Sequence, residues 1–151
     1  IKSNTSRSQS LKIGFLSKHF RRHSVGWCSQ AVIRELSQIT PEVHLYITGP
    51  LKKDDITQRF EQMSVKTYWP KKYPNGFASY TEIVEQILED KLDVVVDLDS
   101  ATLPVNVHIL YEKPAPVCVS WLGFDAPYIS ESHYFLCDWY THPLREEKNI
   151  I

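Results

Sequence analysis

The sequence lacks long hydrophobic runs. Its uninterrupted apolar stretches are only a few residues, far short of the roughly 20 that cross a bilayer. Neither a membrane span nor the apolar centre of a signal peptide is read in it. It also lacks an excess of charge. Lys and Arg total 17, Asp and Glu total 18, and the net charge is -1. There is then no global electrostatic case for binding nucleic acid or an acidic membrane surface. Cysteine is scarce: Cys28, Cys118 and Cys137 show no C-x-x-C spacing, and any bridge leaves one over. Each lies in an apolar stretch, so all three are expected to be reduced core residues of a cytoplasmic protein. No G-x-G-x-x-G and no G-x-x-x-x-G-K-[ST] occurs, which argues against a dinucleotide or P-loop site. No internal repeat or low-complexity tract is present.

What is there alternates between two periods. "LKIGFL" (11–16) reads as a strand. Val25, Cys28, Val32, Leu36 and Ile39 then recur at helical steps, with Ser24 as the expected N-cap. "VHLYIT" (43–48) is a second strand, and "DDITQRFEQM" (54–63) a short helix with Ile56, Phe60 and Met63 on one face. "VKTYW" (65–69) is a third strand. Ser79 and Glu82 are placed as a capping box for a helix burying Ile83, Val84, Ile87 and Leu88. "DVVVDL" (93–98) carries three adjacent valines, expected of a strand covered on both faces. A helix over 104–111 can start at Pro104, and "PVCVSW" (116–121) and "HYFLCD" (133–138) complete six strands. The alternation predicts an α/β fold with a doubly wound, mostly parallel sheet and helices on both faces. A length of 151 residues suits one domain. Residues 1–10, "IKSNTSRSQS", are expected to be a flexible segment and 11–151 the domain. The start at Ile1 and the apolar end of "EEKNII" are expected of a piece of a longer polypeptide.

Ligands of an open α/β sheet bind beyond the carboxyl ends of its strands. That rule selects "SKHFRRHS", "DLDSAT", "WLGFDAP" and "DWYTHP". In the first, His23 precedes a helix whose positive end would keep the imidazole neutral, fit to act as a base or to bind a hydroxyl. The alternative is a solvated surface loop. His19 and His23 have the four-residue spacing of zinc ligands, but only a helix brings such a pair together, and no third ligand is evident. Arg21 and Arg22 either meet a phosphate or are solvated. In the second segment, "DLD" (97–99) reads either as a cation-binding Asp-x-Asp or as carboxylates capping the following turn. Asp99, with Ser100 and Thr102 beside it, is a candidate contact to substrate hydroxyls. In the third, Trp121 offers a stacking face, Gly123 close backbone approach and Asp125 an acceptor, a set suited to a sugar.

Taken together, "LKIGFLSKHFRRHSVG", "LDVVVDLDSAT", "KPAPVCVSWLGFDAP" and "YFLCD…THP" resemble, in this order, the amino-terminal catalytic half of the O-linked N-acetylglucosamine transferase family, its bacterial and SPINDLY-type members most closely. The resemblance implies a Rossmann-like N-terminal half of a GT-B glycosyltransferase. It implies inverting transfer of a sugar, N-acetylglucosamine from a UDP-sugar, to Ser or Thr of a protein or peptide acceptor. No cofactor and no metal are implied, the nucleotide sugar being a substrate. Upstream tetratricopeptide repeats and a C-terminal donor-binding half of the same polypeptide are the implied partners. His23 matches the family's active-site His, and Asp90 an acidic residue before the fourth strand; both are implied as catalytic. Asp97 and Asp99 stand where animal members carry Asn, Ser100-Ala101-Thr102 where they carry Gly-Tyr-Thr, Asp93 where they carry His, and Arg21-Arg22 where they carry Gly-Asn. Two rival functions are a non-catalytic interaction module derived from such an enzyme and a flavodoxin-like sensor of small ligands.

Overall fold

The computed structural model describes residues 10–71, 73–123, 132–138 and 140. Residues 1–9 of the expected flexible segment, and Asp125, lie outside them. Among the described residues six strands form one sheet: β1 (Ile13–Ser17), β2 (Val43–Ile47), β3 (Lys66–Tyr68), β4 (Val94–Asp97), β5 (Val117–Ser120) and β6 (Tyr134–Phe135). Every pairing is parallel, and the order is β3-β2-β1-β4-β5-β6. Four α-helices of the described residues cross between them: α1 (Ser24–Ile39), α2 (Asp55–Met63), α3 (Tyr80–Asp90) and α4 (Pro104–Tyr111). The doubly wound α/β fold expected from the alternation is present. No helix of the described residues is long and apolar enough to cross a membrane.

The strand period of two explains the two cores. Phe15, Leu45 and Val96 face α1 and α2, in a cluster with Ile33, Ile56 and Phe60. Their neighbours Leu16, Tyr46 and Val95 face the other side, in a cluster with Ile83, Ile87, Ile109 and Leu110. The valine run is thus divided between two faces, as a buried parallel strand requires. Gly14 of β1 leaves room for the Tyr46 ring and Leu92. A Cβ there would stand 2.3 Å from Leu92 and 2.9 Å from Tyr46.

Several local expectations are corrected. On α1 the buried line is Gly26, Ser29 and Ile33, while Cys28, Val32 and Ile39 are exposed. The helix is turned by one position because Gly26 packs against the backbone before it, 2.2 Å from the Arg21 carbonyl if it had a Cβ. Cys118 alone of the cysteines is buried, and Cys137 is exposed. Ser24 is not the cap of α1; His23 is, its ring nitrogen accepting from the Val25 N–H. Ser79 makes no capping bond to α3, and Glu82 instead accepts from the Tyr68 hydroxyl and the Lys71 amide. The capping box lies at α2, between Asp54 and Thr57. Leu88 is exposed. The sixth strand shrinks from 133–138 to its two paired residues.

Candidate functional site

The chain winds outward from β1 to β3, then returns to the other side of β1 with β4. The loops leaving β1 and β4 therefore diverge to opposite faces and leave a crevice at the carboxyl end of the sheet. The His/Arg turn (18–23) and the "DLDSAT" turn flank that switch point.

Four residues of the first turn have clear assignments. Phe20 is buried and meets Phe60 edge-on, ring centroids 5.0 Å apart, which anchors the turn to α2. Arg22 grips Asp55 with two bonds of 2.7 and 2.9 Å, and its N–H donates to Asp54. The first turn of α2 thus holds this arginine, as a phosphate would have. His19 and His23 stack face to face, centroids 3.8 Å apart and planes 15° apart. His23 Nδ1 accepts the Val25 N–H at 3.2 Å. Partial burial, then the neighbouring His19 and Arg21, lower its pKa, with Asp99 opposing. It is neutral at pH 7.

The second turn is built around two buried carboxylates. Asp97 accepts the N–H groups of Asp99 and Ser100, at 2.9 and 3.1 Å, and the Asn106 amide at 2.7 Å. Asp99 reaches across to the first turn. It accepts the Ser17 hydroxyl and the Lys18 N–H, both at 3.0 Å, and His19 Nδ1 at 2.8 Å. Ser100, with φ +51, donates its hydroxyl to the Leu122 carbonyl at 2.7 Å. Leu122 and Gly123 are both left-handed, and a Cβ on Gly123 would lie 2.3 Å from the Asp99 carbonyl. The loops after β1, β4 and β5 are therefore tied into one rim.

The rim gathers His23, Asp99, Ser100, Thr102, Trp121 and Gly123, but not in the roles expected of all of them. Asp99 is fully buried, and its oxygens serve the protein's own donors, so it shapes the rim without facing a substrate. Ser100 is likewise buried and bonded inward. Thr102 is exposed, its hydroxyl given to the Asp99 carbonyl. Trp121 is half-buried against the α1/α2 core, and its backbone N–H donates to the Asp97 carbonyl at 2.8 Å. Asp90 does not join the rim. It ends α3, which leads into the start of β4, and meets Lys66 at 2.6 Å, Tyr46 at 2.7 Å and, through its carbonyl, Lys12. Those partners gather it to the amino end of the sheet. Sequence reasoning missed Asn106 and underrated His19. The i, i+4 histidine spacing was a signal, but of stacking instead of joint metal ligation. Asn106, a polar residue inside the apolar "PVNVHILY" helix, was the other. Among the described residues no group of three or more side chains is gathered that could hold a metal ion.

The strand order, with polar loops meeting at the switch point, defines a Rossmann-like domain whose ligand edge is the carboxyl end of its sheet. The family model for glycosyl transferase family 41 matches residues 1–150. The chain belongs to that family. It is 29% identical over 114 residues to the Arabidopsis thaliana protein named probable UDP-N-acetylglucosamine–peptide N-acetylglucosaminyltransferase SPINDLY, covering 76% of this chain and 12% of that one. The Hordeum vulgare protein of the same name is 28% identical over 116 residues, with the same coverage. A solved Thermobaculum terrenum O-GlcNAc transferase variant superposes with a TM-score of 0.64 and 29% identity, over 76% of this chain and 21% of that one. The chain thus spans about an eighth of the length of these curated relatives.

Proposed function

We propose that this chain is the acceptor-side half of a protein O-glycosyltransferase, moving a sugar from a UDP-sugar, N-acetylglucosamine by the names of its relatives, to Ser or Thr of a protein or peptide. The single observation that carries the reading is the rim itself. In a family 41 chain, a neutral imidazole at position 23 stands at the switch point, on loops braced by Asp99. In this reading His23 orients the attacking hydroxyl. The anomeric carbon is displaced once, with inversion, and the nucleotide diphosphate leaves. A C-terminal half of the same polypeptide binds the donor and stabilises the leaving charge. Upstream tetratricopeptide repeats present the acceptor. The displacement runs without a divalent cation, a view supported by Asp97 and Asp99 being engaged by amide, hydroxyl and imidazole donors. Three free cysteines suit a cytoplasmic setting.

The test uses the full-length polypeptide with UDP-N-acetylglucosamine and a Ser/Thr peptide, read by peptide mass. Transfer that persists in chelator and falls strongly in His23→Ala supports the reading. A folded full-length protein that binds the peptide but transfers nothing would make it an interaction module instead.

A further inference from the structure

The two stacked imidazoles are not equivalent. His23 accepts a backbone N–H at Nδ1. That nitrogen carries the lone pair, so the proton of the neutral ring is on Nε2, where the ring can only donate. His19 is bonded the other way. Its Nδ1 lies 2.8 Å from Asp99 Oδ1, in a carboxylate that also takes the Ser17 hydroxyl and the Lys18 N–H. A carboxylate receiving these donors is itself an acceptor, so His19 Nδ1 bears the proton and Nε2 the lone pair. Among the described residues His19 Nε2 has no hydrogen-bond partner, and the side chain is 12% exposed. A buried Asp fixing the tautomer of a partly open His is the arrangement that makes an imidazole a proton acceptor.

We propose that His19, not His23, takes the proton of the attacking hydroxyl, while His23 donates to that hydroxyl's oxygen and Asp99 is the positioning residue for His19. This rests on the transferase reading above. The acceptor O–H bond breaks and its proton passes to His19 Nε2. The oxygen's electron pair forms the bond to the anomeric carbon of the nucleotide sugar. The bond from that carbon to the diphosphate oxygen breaks, and its pair leaves with the diphosphate. The imidazolium so formed stays paired with the Asp99 carboxylate. A hydroxyl is both donor and acceptor, and the stacked pair offers it one partner of each kind.

The experiment compares two asparagine variants of the full-length polypeptide, with UDP-N-acetylglucosamine and a Ser/Thr peptide. His19→Asn keeps an amide that can donate to Asp99 but removes Nε2. His23→Asn keeps an oxygen that can cap α1 but removes the Nε2 donor. His19→Asn is expected to lower kcat by about a hundredfold or more, with KM little changed. His23→Asn is expected to lower kcat less. Near-normal kcat in a folded His19→Asn, or the reverse order of the two variants, overturns the proposal and leaves the transferase reading intact. A wild-type protein that transfers no sugar overturns the transferase reading itself. Imidazole nitrogen NMR on the unsubstituted protein decides the tautomer even where a variant does not fold. A protonated Nδ1 on His19 and a protonated Nε2 on His23 are expected, and the opposite pair sinks the proposal.

Discussion

Each end of the sheet holds a carboxylate beside a histidine, and the two are put to different ends. At the amino end Asp90 takes the Lys66 ammonium at 2.6 Å, the Tyr46 hydroxyl at 2.7 Å and the Gln86 amide at 3.1 Å. His44 stands nearby, 3.8 Å from Asp90, its other nitrogen on Glu42 at 3.0 Å. Burial, the largest single influence, pushes the Asp90 carboxyl up, but Lys66 and Tyr46 together hold it below its ordinary value. Burial and the same carboxylate drive the Tyr46 phenol far up, so it stays a donor. At the carboxyl end no Lys or Arg side chain among the described residues donates to Asp99. Its donors are a hydroxyl, a backbone N–H, an amide and an imidazole. A cation closes the first network and makes it a brace between α3, β2 and β3. A hydroxyl, a backbone N–H, an amide and an imidazole close the second, and the imidazole keeps its Nε2 for something else. A buried acid beside a histidine is thus no sign of chemistry by itself; what balances the acid decides.

The sharpest way to break this contrast is to neutralise each acid in the full-length transferase. Asp99→Asn is expected to cut turnover by about a hundredfold or more, because an amide no longer enforces the His19 tautomer. Asp90→Asn is expected to leave kcat within about twofold of normal. Equal losses at the two ends, measured as initial rates of sugar transfer, would erase the distinction.

Next in size is the packing beneath the rim. Gly123→Ala forces a Cβ against the Asp99 carbonyl at a residue with φ +69. A loss of about 1–3 kcal/mol of stability is expected from overpacking alone. Urea unfolding measures it, and an unchanged midpoint would mean that the β5 loop is not seated on Asp99. At the amino end, Asp90→Asn leaves Lys66 and Tyr46 without their carboxylate and is expected to cost about 1–3 kcal/mol. The Asp90 value is lowered on folding, so its contribution is complete above the unfolded value near pH 4 and is lost as pH falls through the folded one. The variant should lose that part of the acid dependence. An acid limb identical to that of the parent would place the contribution elsewhere.

The smallest effect is at His23. Its folded pKa is lowered, so folding favours the neutral ring. That stabilisation is complete above the unfolded value of about 6.5 and is lost as pH falls through the lower folded value, when Nδ1 can no longer accept from Val25. A decline of about 1 kcal/mol or less is expected from a lost cap. Melting temperatures between pH 8 and 5 should show it in the parent and not in His23→Asn.

Much of the fold was legible because its signals are local. The periods of two and near 3.6 distinguish strand from helix in "DVVVDL" and "DDITQRFEQM", and Pro104 does start α4. The exits of the strands, with their His, Asp and Trp, were also legible as the ligand edge. The face of α1 was not, because Gly26 and Ser29 count as weakly apolar or polar by type and are buried only by the close approach of the preceding turn. The role of Asp99 was not, because its partners lie some 80 positions away in the chain. Asp90 is the instructive case. Its place just ahead of β4 already set it at the amino end, and only the family resemblance suggested otherwise.

By itself the sequence determined the elements and their polarity, since hydrophobic period and turn chemistry act over a few residues. It determined too that His23 and Asp99 leave strands at the same edge of a parallel sheet. Only the tertiary structure decided the strand order that brings β1 beside β4, the burial of Asp99, and the nitrogen His19 keeps open. Those depend on contacts between loops far apart in the chain, where the hydrogen bond between His19 Nδ1 and Asp99 sets which histidine can receive a proton.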